Sequence, residues 1–64
     1  MTAAEFRDAL RDLDLSQRSL AGNLGTAVST VNRWAVGTAP IPPYVPYVLR
    51  LLRERREIAG LVEA

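Results

Sequence analysis

Residues 16 to 37 read SQRSLAGNLGTAVSTVNRWAVG, and this stretch decides the fold. Leu20 and Leu24 stand four apart with Ala21 beside the first, and Val31 and Trp34 stand three apart further on. These spacings put an apolar stripe on each of two short helices. Gly25 lies between the stripes, where a glycine supplies the positive φ that ends one helix and turns the chain sharply. Ala21 is small enough to let a crossing helix approach closely. Two helices joined by a short glycine-containing turn form the helix-turn-helix arrangement.

The flanking sequence extends this unit in both directions. The first helix is expected over 3–13: Thr2 can cap its first turn, and Glu5 falls three residues later, at the capping-box spacing. Phe6, Leu10 and Leu13 then form one apolar stripe, with Arg7, Asp8, Arg11 and Asp12 outside. Ser16 is a good N-cap for a second helix over 17–24, and Leu15 before it can staple onto Leu20. After Gly25, Thr26 or Ala27 caps a third helix over 27–36, and the Thr26 hydroxyl makes it the better candidate. Gly37 stops that helix.

Residues 38–43 form a proline-rich connector to a fourth helix, expected over 44–57. Pro46 has no N–H to donate, so it belongs in the first turn of that helix. PPYVP also suits an extended ligand for a partner domain. The apolar helical pattern that follows at once favours the helix. The expected architecture is therefore all-α, a single compact helix-turn-helix domain of four helices. A fifth arises only if the tail forms its own.

Size and composition narrow the function classes. A chain of 64 residues is one small domain, burying about 60 % of its unfolded surface. It has no cysteine and no histidine, so any zinc site would have to rely on carboxylates alone, and neither a metal nor a cofactor is expected. Glu5 and Asp8 stand where a secretory signal would be basic and then apolar. The longest apolar-rich stretch, 39–52, is broken by prolines and Arg50, far from the ~20 clean residues of a membrane span. A soluble, cytoplasmic protein with no membrane partner is expected.

The net charge of +1 conceals a segregation. Glu5, Asp8, Asp12 and Asp14 lie at one end and Glu54, Glu57 and Glu63 at the other. Residues 15–53 contain no acid, while Arg18, Arg33, Arg50 and Arg53 make that stretch basic. A polyanion responds to this middle region and not to the average of the chain.

The fourth helix carries more apolar surface than one core needs. Tyr44, Val45, Tyr47, Val48, Leu49, Leu51 and Leu52 fill seven of nine positions and wrap most of its circumference. A helix apolar all round is normally covered on more than one side. One face can close the core, and the other is expected to meet a second copy through Tyr44, Tyr47, Leu51 and Ile58. Residues 58–64 either extend that contact or fray.

Residues 15 to 43 resemble the small lambda-repressor and Cro-type helix-turn-helix regulators of phages and bacteria. The resemblance rests on Leu15-Ser16-Gln17, Leu20-Ala21, Leu24-Gly25, Thr30-Val31, Arg33-Trp34, Gly37 and Ile41-Pro42-Pro43. It implies that the second helix of the motif lies in a DNA major groove, with Ala27, Val28, Ser29, Asn32 and Arg33 facing the bases. It also implies phosphate contacts from Gln17, Arg18, Thr30 and Thr38. The residue chemistry agrees: Arg33 can form a bidentate contact with guanine, Asn32 with adenine, and Val28 can pack on a thymine methyl. Gln17 opens its helix, where free N–H groups and the helix dipole attract an anion.

Two positions depart from the family pattern. Ala27 replaces a Ser or Thr cap, and Ala35 stands where an acid often follows the tryptophan. The second change would reduce repulsion beside DNA.

The expected function is a homodimeric, sequence-specific double-stranded DNA-binding repressor in a bacterial cell, host- or phage-encoded, either Cro-like or an operon autoregulator. The rival class is a helix-turn-helix protein-interaction module, or an antitoxin-type adaptor, without specific DNA readout. Catalysis is not expected, because no histidine, cysteine or paired buried carboxylate is legible. No small-molecule ligand is implied either.

Overall fold

In the computed structural model, which describes the backbone of residues 1–63 and the side chains of residues 1–57, the chain forms four helices. They are α1 (Ala3–Asp12), α2 (Gln17–Leu24), α3 (Val28–Val36) and α4 (Tyr44–Glu63). Among the described residues there is no strand.

Each helix begins and ends for a local chemical reason. At α1 the Thr2 hydroxyl accepts from Glu5 N–H at 3.1 Å, and Glu5 Oε1 accepts from Thr2 N–H at 2.8 Å, completing the expected capping box. That reciprocal bonding holds the Glu5 carboxyl below the usual carboxylate range, the Thr2 backbone N–H being the larger cause. The helix stops at Asp12, a residue short of the expected end, because Asp14 takes a positive φ of 52°. That turn lets Leu15 N–H reach back to the Leu10 carbonyl at 2.9 Å.

Ser16 caps α2 as expected, accepting from Ser19 N–H at 3.0 Å. Gly25, at φ +68°, ends the helix in the left-handed region. Thr26 N–H then closes back onto the Ala21 carbonyl at 3.0 Å, the bond of a Schellman motif. This closure corrects the expected cap of α3. Thr26 still lies in the turn that finishes α2, and the first carbonyl to accept from α3 N–H groups is that of Ala27, so Ala27 occupies the N-cap position and no side chain caps the helix.

At the other end of α3 the Arg33 carbonyl accepts from Gly37 N–H and Thr38 N–H, both at 3.0 Å. Gly37 makes this possible with φ +88°. Pro46 lies in the first turn of α4, where its missing N–H leaves nothing unsatisfied. That helix runs on to Glu63, past the expected end at 57, and no separate fifth helix forms before Glu63. The sequence between Tyr47 and Ala59 offers no proline or glycine to break it, and an Arg53–Glu57 pair at 3.9 Å supports the middle turns.

The core is assembled from all four helices: Phe6 and Leu10, Leu20 and Ala21, Val31, Trp34 and Ala35, then Val45 and Leu49 are buried. Phe6 meets Trp34 edge to face, with ring centroids 6.1 Å apart and planes at 84°. Leu13, Leu15, Leu24, Ile41 and Leu52 pack around this centre half-buried. Arg7, expected outside, swings its guanidinium to the Ala35 carbonyl at the end of α3. A cation is favoured there by the negative end of the helix dipole. Among the described residues no helix is long and apolar enough to cross a membrane.

Candidate nucleic-acid interface

Trp34 and Val31 anchor α3 and thereby decide what it shows to solvent. Both are buried, at 4 % and 0 % exposure, so the opposite side of a helix with 3.6 residues per turn must face outward. That side carries Val28, Ser29, Asn32 and Arg33, all exposed, with exposed Ala27 at its head. The five positions expected to read bases therefore share one open surface.

The positions expected to touch phosphate fall less uniformly. Arg18 and Thr38 are exposed, while Gln17 and Thr30 are half-buried. The Thr38 hydroxyl donates to the Arg33 carbonyl at 3.5 Å, a long bond that an incoming anion could replace. Gln17 is brought directly to the outward face of α3: Asn32 Nδ2 donates to Gln17 Oε1 at 3.3 Å. The Gln17 Nε2 group is left to donate elsewhere.

The surroundings suit an anion. Neither α2 nor α3 contains an acid, and Arg18 and Arg33 are their only charged side chains. The acids of α1 lie elsewhere: Glu5, Asp8 and Asp12 line a groove shared with α4. The acids of α1 thus stay off the α2–α3 surface, but Arg50 and Arg53 of the acid-free stretch line that same groove and leave Arg18 and Arg33 as the cations of the α2–α3 unit.

Two residues of α3 differ from the sequence reading. Ala35 is 2 % exposed and sits in the core, so the absent acid at this position has no bearing on an approaching polyanion. Its spacing of four from buried Val31 carries that information in the sequence. Val36 received no role, yet it is 59 % exposed. It continues the row of Val28 and Asn32 at i+8, so the outward face has apolar ends and a polar centre.

The expected α4 contact surface is also accessible. Tyr44, Tyr47 and Leu51 are 51 %, 67 % and 63 % exposed, while Val45 and Leu49 on the other side enter the core. Ile58, placed at the same contact, lies outside the residues whose side chains are described. Among the described residues no group of three or more acids is arranged to hold a metal ion.

No protein-family model matches the chain, and no curated protein or solved structure matches it significantly.

Proposed function

We propose that the chain is a sequence-specific double-stranded DNA-binding repressor acting as a homodimer, with α2 and α3 as a helix-turn-helix motif and α3 in the major groove. The observation that carries this reading is the outward face of α3. Ser29, Asn32 and Arg33 project from a helix locked in place by Trp34 and Val31, on a surface free of acids. Arg33 would take guanine O6 and N7, Asn32 an adenine edge, and Val28 a thymine methyl, while Ser29 serves a base edge or a phosphate. Gln17, Arg18, Thr30 and Thr38 would fix the register on the backbone, a role distinct from base reading. Paired through Tyr44, Tyr47 and Leu51, two α3 helices would address half-sites about one helical turn apart. Occupying a promoter is then enough to repress it.

Selection from a random duplex library, repeated at two salt concentrations, tests this reading. An enriched inverted repeat supports the specific dimer. A salt-sensitive smear with no motif reduces the chain to a non-specific polyanion binder, because phosphate contacts alone carry strong salt dependence.

One observation favours the rival reading of a protein-interaction module: Val28 and Val36 are 43 % and 59 % exposed on the same face of α3. That reading requires weak duplex binding even at low salt and an Arg33→Ala variant that keeps its function.

A further inference from the structure

We propose that the groove between α1 and α4 docks an amphipathic helical segment of another protein. The segment would carry an apolar stripe with basic side chains along one flank and acidic side chains along the other. The groove has a volume of about 400 Å³ and a floor of Ala9, Leu13, Pro46 and Leu49. Its α1 wall bears Glu5, Asp8 and Asp12, and its α4 wall bears Arg50 and Arg53. The spacings i, i+3, i+7 on one wall and i, i+3 on the other keep each set of charges on a single helix face.

The two walls attract but do not close on each other. The ion pairs among the described residues run along single helices, Arg11–Asp8 at 3.5 Å and Arg53–Glu57 at 3.9 Å. Arg56 reaches across to α1, yet it donates to the Asp12 carbonyl, at 3.2 Å, and not to a carboxylate. Opposite charges therefore flank an apolar floor without neutralising one another across it. An occupant bearing both signs on opposite flanks satisfies both walls, and either sign alone is repelled by one of them.

The dimensions favour a helix as that occupant. From Glu5 to Asp12 the acidic wall runs for about two helical turns, roughly 10 Å, the length over which one apolar stripe meets a groove. A second copy of this chain is not the expected occupant. Its free apolar residues Tyr44, Tyr47 and Leu51 project on average roughly 145° around α4 from the groove residues Pro46, Leu49, Arg50 and Arg53, so pairing through them leaves the groove floor open. None of the outward residues of α3 lines the groove either. The site therefore does not depend on whether α3 reads DNA.

The test uses the full chain, isotope-labelled for NMR, and stapled helical peptides of about 14 residues, or four turns. Each has a leucine stripe, with Lys on one flank and Glu on the other, Lys on both, or Glu on both. The mixed peptide should shift the amides of Ala9, Leu13 and Leu49, and the single-sign peptides should bind about fivefold more weakly or worse. Arg50→Gln with Arg53→Gln, and separately Asp8→Asn with Asp12→Asn, should each weaken the mixed peptide by about fivefold while leaving the thermal melt in place. Three results would overturn the proposal: no shifts in the groove, equal binding of the all-Lys peptide, or shifts confined to Tyr44, Tyr47 and Leu51.

Discussion

Asn32 Nδ2 donates to Gln17 Oε1 across 3.3 Å, tying the outward face of α3 to the first residue of α2. The bond uses one of the two Asn32 amide hydrogens and leaves the other, with Oδ1, to meet an adenine edge. It also leaves Gln17 Nε2 for a phosphate. The two residues should therefore act as a unit. Gln17→Ala should lower affinity and also blur the base preference at the position Asn32 reads. A double-mutant cycle on the selected duplex should give a coupling of about 0.5–3 kcal/mol. Strictly additive losses would show that the two amides act separately.

Arg33 serves the fold and the interface with different atoms. Its carbonyl accepts the N–H groups of Gly37 and Thr38, whereas its side chain is exposed. Arg33→Ala should leave the melting temperature nearly unchanged and cost about 1–3 kcal/mol on the preferred duplex, with one base position relaxed. Unchanged base preference in a repeated selection would remove Arg33 from the readers.

Leu51 is 63 % exposed, so a charge there should not disturb the core. If its face joins two copies, Leu51→Glu buries an unpaired carboxylate at the contact. Light scattering should then report monomers with a native helical spectrum. Dimers that survive the substitution would place the interface elsewhere.

Gly22 within α2 and Gly25 at its C-terminal cap should respond in opposite directions to alanine. Gly22 is helical, and a Cβ there meets nothing within 4 Å, so Gly22→Ala should stabilise by about 0.5–1 kcal/mol. A Cβ at Gly25 meets nothing either, but φ is +68°, so Gly25→Ala should destabilise by roughly 1–2 kcal/mol through backbone strain alone. In a domain this small each kcal/mol moves the melting temperature by about 4–8 °C, well within reach of calorimetry.

Glu5 gives the fold an acid-sensitive cap. Its carboxyl is held low, first by the Thr2 backbone N–H and then by the Thr2 side chain. A depressed folded value means that the contribution is present above the unfolded value, roughly pH 4.3, and is lost as pH falls through the lower folded value. Urea midpoints measured from neutral pH downward should fall more steeply for the native chain than for Glu5→Gln in that window. Parallel curves would show that the capping box does not report on global stability.

Most of the helical framework was legible because its determinants are local. Thr2 with Glu5, Ser16 and Gly25 act over three or four residues, and Phe6, Leu10, Val31 and Trp34 announce their buried faces by spacing alone. The weak points were also local, but competitive. Thr26 is the better cap by chemistry, yet its backbone is held in the turn that closes α2 and α3 begins one residue later, so Ala27 takes the cap position.

The sequence by itself determined that four helices form and where each begins to within a residue, which side of each turns inward, and that acids avoid the α2–α3 unit. Those properties follow from backbone chemistry and helical period, which need no knowledge of neighbours. Only the tertiary structure decided which distant groups meet. It joined Asn32 to Gln17, brought Arg7 to the Ala35 carbonyl, and set Glu5, Asp8 and Asp12 across a groove from Arg50 and Arg53. Periodicity says which face a side chain occupies. What lies opposite depends on how the helices cross, and packing around the Phe6–Trp34 centre fixes that.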